Sequence, residues 1–128
     1  MRIVIDLQGA QTESRNRGIG RYSTALTQAI VRNAKEHEIF IVVNLQLPAI
    51  NDIRLAFKDV LPPERIVAFD VPKNLSWEVP ENSSRRKVAE LIRENFLVDL
   101  NPDLILITSL FEGASNCECD SFDRYWLV

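Results

Sequence analysis

A glycine- and arginine-rich string near the amino terminus has the composition of an anion-binding loop. It reads RGIGRYS over residues 17–23 and leads directly into a helix-forming sequence. The free N–H groups and the positive dipole end at a helix start favour a phosphate, and glycines let a ligand approach the backbone closely. The alternative is that the glycines only permit a turn and close helix packing. Because two arginines flank them, we predict an anion site formed by Arg17, Gly18, Ile19, Gly20 and Arg21.

This string is not the fingerprint of a dinucleotide-binding fold. In that fingerprint the glycines follow the first strand at once, whereas Gly18 comes about ten residues after it. The second strand ends in Asn44, where an acid that binds the ribose is expected. A nicotinamide cofactor is therefore disfavoured, and the sequence predicts no cofactor.

A second unusual loop, SLFEG over residues 109–113, follows the last buried apolar run. Its Ser109 hydroxyl and Glu112 carboxylate are suited to hydrogen-bonding a sugar or orienting a nucleophile. The alternative for a glutamate beside a glycine turn is a solvated side chain without a role. We predict that Ser109 and Glu112 form the acceptor side of the site.

The remaining reactive side chains favour structural roles. Asp6 lies inside the first apolar run, and a buried carboxylate needs partners, so we expect it to accept N–H groups of the loop that follows. His37 precedes the second strand, at the wrong end of the sheet for this site. Cys117 and Cys119 are one residue apart, a spacing that suits neither a disulfide scaffold nor a complete zinc site. We predict no metal.

Short apolar runs alternate with helical patterns along the chain. The runs predict strands over 2–7, 38–44, 65–71 and 103–108. Helices are predicted over 19–34, from Pro48 towards Leu61, and from Ser84 to the Asn101-Pro102 pair, which ends the helix because proline disfavours helical geometry in the preceding residue. The first helix is expected to pack on the sheet through its apolar residues, Tyr22, Leu26, Ala29 and Ile30, and the third is marked by Val88, Leu91, Ile92, Asn95 and Phe96.

The alternation predicts an α/β fold, a Rossmann-like open parallel sheet of about four strands with helices on both faces. The expected strand order is 3-2-1-4. In such sheets ligands bind outside the carboxyl ends of the strands, where neighbouring loops part in opposite directions. The loops after strands one and four should therefore face each other across one crevice.

Composition excludes several classes of protein. The 128 residues are 46% hydrophobic and 26% charged, as in ordinary globular domains, and the net charge is −3. Basic residues are dispersed apart from Arg85, Arg86 and Lys87, which we interpret as a solvated helix start, so nucleic acid is not an expected partner. No apolar run approaches the roughly 20 residues of a membrane-spanning helix. We expect a cytoplasmic protein.

The opening MRIVIDLQGAQTESRNRGIGRYS and the later NPDLILITSLFEG resemble the amino-terminal domain of family 4 glycosyltransferases of the GT-B fold. The resemblance spans roughly residues 1–113, and its most specific parts are RGIGRYS and SLFEG. It implies two Rossmann-like domains, of which the first mainly receives the acceptor and the second grips the nucleotide sugar. It also implies transfer with retention of configuration, of mannose or a similar hexose, in polysaccharide or lipopolysaccharide synthesis.

The resemblance further implies that Gly18, Ile19 and Gly20 reach towards the donor diphosphate, with Arg17 and Arg21 nearby. We expect residues 1–113 to form a partial acceptor-side domain and 114–128 a tail of unassigned role, with the donor-binding domain absent. Nucleotide sugar and acceptor are then partners of the full-length protein, and the chain alone is expected to be inactive.

Two other readings stay open. One is a non-catalytic α/β module that forms homo-oligomers, in which the apolar residues 125–128 cover a sheet edge of a partner chain. The other is a small phosphate- or nucleotide-binding protein of flavodoxin-like form, which needs only the first loop.

Overall fold

The computed structural model describes residues 1–73, 79–108 and, for the backbone alone, 125–127; the side chains of residues 13 and 14 are also outside this description. The strands are β1 (Arg2–Asp6), β2 (Glu38–Asn44), β3 (Ile66–Phe69), β4 (Leu104–Ile107) and β5 (Tyr125–Leu127). The helices are α1 (Gly18–Asn33), α2 (Ile50–Phe57) and α3 (Ser83–Asp99). Short 3-10 turns over 8–10 and 13–16 form most of the connection between β1 and α1.

The strands form one parallel sheet in the order β3-β2-β1-β4-β5. Ile3 aligns with Ile39 on one side and with Leu104 on the other, so β1 lies in the middle. The predicted order of the first four strands is confirmed. The final apolar residues add β5 beside β4 of the same chain, and so occupy this chain's own sheet edge instead of a partner's.

Helices cover both faces of the sheet, as predicted. Because side chains alternate along a strand, Ile5 and Ile41 face one side, where they pack with Val31 of α1 and Phe57 of α2. The opposite side is covered by α3 through a second core cluster, formed by Val4, Val42, Phe69, Val71, Ala89, Leu97, Ile105 and Ile107. Within the described ranges, no helix is long and apolar enough to cross a membrane.

Several element ends follow from local sequence. Asn101 has a φ of 51°, a left-handed conformation that asparagine tolerates, and it ends α3 directly before a proline, as predicted. Helix α2 is shorter than the predicted helix. It begins after Ala49, whose φ of 70° is not helical, and it ends at Phe57. β3 is also shorter than the predicted run, and covers only Ile66–Phe69.

The first helix packs only in part through the face that its apolar residues predict, since Ile30 packs against the core but other residues are more deeply buried. Its buried residues are Gly20, Ser23, Thr27 and Val31, whereas Tyr22 is 53% exposed. Small side chains allow α1 to approach the sheet closely, and both hydroxyls find partners. Ser23 Oγ donates to the carbonyl of Thr108 over 3.3 Å, and Thr27 Oγ1 donates to the carbonyl of Ser23 over 2.7 Å.

Helix α3 differs from the sequence pattern in a similar way. Its buried residues are Arg86, Ala89, Arg93 and Leu97. The residues that mark it in the sequence lie elsewhere: Val88 and Leu91 are exposed, while Ile92 and Phe96 are partly buried at its side. Two arginines therefore face the sheet on a helix whose outer surface carries aliphatic side chains.

Candidate functional site

The glycine- and arginine-rich string forms the start of α1. Arg17 is the residue before the first turn, with extended backbone, and its carbonyl accepts the N–H of Arg21 over 3.1 Å. In the described part of the chain no side chain caps this end, and no acidic residue lies in the first turn. The first N–H groups of a helix have no partner within the helix, so the positive end of α1 is reinforced by two exposed arginines.

The surroundings of Gly18 bear on the two interpretations of the loop, an anion site or glycines that only permit a turn and close packing. A Cβ built on this residue would meet no atom within 4 Å. Its φ is not positive either, so the backbone does not require glycine at this position. Neither a turn nor close packing within the described chain explains Gly18. Gly20, in contrast, is a buried residue of α1.

The exit of β4 approaches the same helix. β1 and β4 are neighbours, and Ser23 Oγ donates to the carbonyl of Thr108, the residue that follows β4. Thr108 is also held from the other side, since its Oγ1 donates to the carbonyl of Asp6 over 3.3 Å. Ser109 and Glu112 lie outside the described residues, so their position relative to Gly18 stays a prediction.

A buried ion pair lies at the carboxyl end of β1. Arg93 of α3 donates to Asp6 Oδ2 from Nε over 2.7 Å, and its second guanidinium nitrogen lies 2.5 Å from the same oxygen. The two side chains are 6% and 1% exposed. Gln8 completes the shell of the carboxylate: its backbone N–H donates to Oδ1 over 3.1 Å, and its side-chain amide donates to both oxygens. Asp6 therefore braces the loop after β1, as the sequence predicts.

A second set of hydrogen bonds ties this loop to the end of β2. Gln11 is fully buried; its Nε2 donates to the carbonyl of Asn44 over 2.9 Å, and its Oε1 accepts the N–H of Asn44 over 2.8 Å. The amide of Asn44 donates in turn to Gln8 Oε1 over 3.2 Å. Asp6, Gln8, Gln11, Asn44 and Arg93 thus form one connected structure, named here the polar floor.

Sequence reasoning missed most of the polar floor. The signal in the sequence was Asp6 itself, because a carboxylate inside a buried strand needs a nearby cation. The third helix offers Arg86 and Arg93, which are seven residues apart and therefore on one face. His37 is exposed at the amino end of the sheet, where its Nδ1 lies 3.2 Å from the amino terminus, which confirms its predicted place. Cys117 and Cys119 lie outside the described residues, and among the described ones no three potential metal ligands gather.

Known proteins with related sequences indicate the class of enzyme to which this chain is related. A serotype-specific mannosyltransferase WbdA of Escherichia coli is 38% identical over 118 residues, which is 91% of this chain. The chain is homologous to part of a glycosyltransferase. A further Escherichia coli protein of the same name is 32% identical over 93 residues, or 71% of this chain. No protein-family model and no solved structure matches this glycosyltransferase segment.

The segment spans only 14% and 11% of the length of these two relatives. The match confirms the resemblance to glycosyltransferases and is consistent with family 4 and a GT-B fold. It covers most of the chain, so the similarity extends well beyond the loop that carries the predicted anion site.

Proposed function

We propose that the chain forms the acceptor-side part of a retaining, nucleotide-sugar-dependent glycosyltransferase that transfers mannose or a similar hexose. In this proposal the start of α1, from Arg17 to Arg21, receives the donor diphosphate. Ser109 and Glu112 receive the acceptor, and a cytoplasmic location belongs to the same proposal. Nucleotide sugar and sugar acceptor are the partners of the whole enzyme.

The proposal rests on the free space around Gly18 at the start of α1. Among the described residues, no side chain caps the start of α1 and no atom lies within 4 Å of a Cβ built on Gly18, so an anion attracted by the two exposed arginines has room there. Gly18 also has no role in the packing of the described chain. The polar floor holds the connection between β1 and α1 through the hydrogen bonds of Gln8 and Gln11.

The chemistry follows from where negative charge appears. In sugar transfer the bond between the anomeric carbon and the diphosphate oxygen breaks, and its electron pair goes to the diphosphate. The acceptor hydroxyl oxygen forms the new bond to the anomeric carbon, and its proton goes to the departing diphosphate. Fixed N–H groups of Gly18, Ile19 and Gly20, with the guanidinium groups of Arg17 and Arg21, would stabilise the leaving diphosphate, a kind of electrostatic effect that often dominates transfer reactions.

Activity is not expected from the 128-residue chain alone. Holding two reactants in place contributes roughly 7 to 11 kcal/mol to such reactions, and this contribution needs both sides of the cleft. We expect the chain to bind a nucleoside diphosphate with millimolar affinity, about 4 kcal/mol, from a few N–H groups and two arginines. Turnover of a nucleotide sugar by the purified chain would contradict this part of the proposal.

Replacement of Gly18 tests the site directly. Gly18→Leu should abolish the chemical-shift changes at the start of α1 during titration with GDP, because the new side chain would occupy the ligand's space. The fold should persist, since a Cβ at this position meets nothing and glycine is a poor helix residue. The double variant Arg17→Ala with Arg21→Ala should weaken binding at least tenfold while leaving unfolding by urea nearly unchanged.

Arg54→Ala is the matched control, because Arg54 is an exposed arginine on α2. It should bind GDP as the unchanged chain does. Equal binding by Gly18→Leu, or an equal loss in Arg54→Ala, would contradict a diphosphate site at α1. A flavodoxin-like phosphate-binding protein would use the same loop, but homology to a mannosyltransferase over 91% of the chain favours the glycosyltransferase.

A further inference from the structure

Helix α3 exposes three aliphatic side chains on the side that faces away from the sheet, among polar and charged residues. Val88, Leu91 and Val98 are 46%, 58% and 51% exposed, and helical geometry places them on one stripe with the exposed Asn95. The spacing of three, four and three residues is that of a helix seam. A helix on the surface of a globular protein normally shows the reverse pattern, with apolar residues inward and charges outward.

The charges of α3 oppose its own dipole. No acidic residue lies in its first turn, which carries Arg85 and Arg86, and no basic residue lies in its last turn, which ends in Asp99. Basic residues at the start of a helix and acidic residues at its end are unfavourable in isolation. A second helix running in the opposite direction reverses this, because each basic start then lies beside an acidic end.

The stripe is symmetric about Arg93. Val88 and Val98 lie five positions on either side of it, and Leu91 and Asn95 lie two positions on either side. In an antiparallel pair of α3 helices, Val88 of one copy therefore meets Val98 of the other. The exposed Arg85 and Asp99 lie on the same flank of the stripe, being 14 residues or nearly four turns apart, so each Arg85 lies beside Asp99 of the second copy.

We propose that the outer face of α3 is a self-association surface, on which a second copy of this chain packs its own α3 in the antiparallel direction. Beside the stripe, an open groove of about 520 Å³ is lined by apolar side chains, among them Phe69, Ile92 and Phe96, and by the polar residues Asp70, Asn95 and Asp99. This groove gives the partner's aliphatic side chains a surface to fill. The surface is on the opposite side of the sheet from α1 and α2.

Sedimentation velocity of the chain at high micromolar concentration tests the proposal. The unchanged chain should sediment with twice its single-chain mass, and Leu91→Asp or Val88→Asp should reduce it to a monomer. Both replaced side chains are exposed, so the far-ultraviolet spectrum should stay the same. Leu55→Asp is the matched control, because Leu55 is an exposed leucine on α2, 69% accessible, and this variant should remain a dimer.

A charge exchange tests the direction of packing. Arg85→Asp and Asp99→Arg should each weaken the dimer several-fold, since each turns two attractive contacts into repulsive ones. The double variant should recover most of the loss, because an antiparallel pair again places opposite charges together. In a parallel pair Arg85 and Asp99 of different copies would lie at opposite ends of the seam, and the single changes would then not weaken it.

Three results would overturn the proposal: a monomeric unchanged chain, a dimer that survives Leu91→Asp, or a double variant no better than either single change. A dimer that survives Leu91→Asp would point to pairing through a sheet edge. Binding of GDP to the start of α1 should be equal in the unchanged chain and in Leu91→Asp, so failure of this surface is distinguishable from failure of the diphosphate site.

Discussion

The carboxyl and amino ends of the sheet both carry charged residues, but only the carboxyl end buries them. At the carboxyl end the side chains of Asp6 and Arg93 are 1% and 6% exposed. At the amino end Arg2 and Glu38 are joined over 2.8 Å, yet they are 36% and 35% exposed. Arg65 reaches the same carboxylate over 3.5 Å. Pairs of arginine and carboxylate are thus buried at the carboxyl end and partly exposed to water at the amino end.

This difference indicates different roles. Burial of an ion pair contributes little net stability, because the loss of hydration offsets the attraction between the charges. The pair at the carboxyl end instead fixes Gln8 and the loop that leads to α1, at the end of the sheet where ligands bind. At the amino end Arg2 also donates to the carbonyl of Leu100, directly after α3, over 2.8 Å, away from the end of the sheet where ligands bind. Arg2 and Arg65 lie over the ring of Phe40.

Removal of the buried cation should have the largest effect. Arg93→Met leaves the Asp6 carboxylate buried without its cation, so we expect the free energy of unfolding to fall by about 3 to 5 kcal/mol. Urea unfolding measures this loss. Asp6→Asn in the same background should recover part of it, because the uncompensated charge is then gone.

Arg32→Met is the control, because Arg32 is an exposed arginine at the end of α1 and should change stability by less than about 0.5 kcal/mol. A similar small effect of Arg93→Met would mean that the polar floor is hydrated, and the contrast between the two ends of the sheet would disappear.

The fold could be predicted from the sequence because its strands are short β-branched runs buried on both sides, as in Ile3 to Ile5. Order 3-2-1-4 is the usual result of two right-handed crossovers in one direction followed by a return to the other side of the first strand. The packing faces of α1 and α3 could be predicted only in part. Ser23 and Thr27 can be buried because their hydroxyls find acceptors, the carbonyl of Thr108 for Ser23 and the carbonyl of Ser23 in the same helix for Thr27. A periodicity argument that counts only apolar residues does not detect such partners.

The candidate site was predictable only in part. The loop at Gly18 is visible in the sequence because glycines and arginines are unusual before a helix. Arg93 is not, because its partner Asp6 lies 87 residues away and is reached only after the chain crosses the sheet. Gln11 resembles an ordinary loop residue until the end of β2 is placed beside it.

Gln11 offers a smaller test of the same contrast. Gln11→Leu removes the acceptor of the Asn44 N–H and the donor to its carbonyl, so we expect a loss of about 1 to 3 kcal/mol in unfolding free energy. Hydrogen exchange of the Asn44 amide should also become faster. Gln46→Leu is the control: Gln46 is exposed and its side chain bonds Asp70, so its loss should be within about 0.5 kcal/mol. An unchanged Asn44 exchange rate in Gln11→Leu would show that the polar floor does not hold the two loops together.

The smallest effect is expected at the amino end, where replacement of Glu38 should change how the stability of the fold depends on pH. A hydrogen bond from Arg2, with the nearby charges of Arg2 and Arg65, lowers the pKa of Glu38 below its usual 4.5, although desolvation opposes this shift. A carboxyl whose pKa is lower in the folded state stabilises the fold at pH values above its unfolded pKa, and this contribution is lost as pH falls through the folded value. The urea midpoints of the unchanged chain and Glu38→Gln should therefore differ at neutral pH and converge below pH 4.5. Glu36→Gln, a change at an exposed neighbouring carboxyl, is the matched control. A difference that grows on acidification would reverse the sign and would mean that Arg2 and Arg65 do not favour the ionised carboxylate in the folded chain.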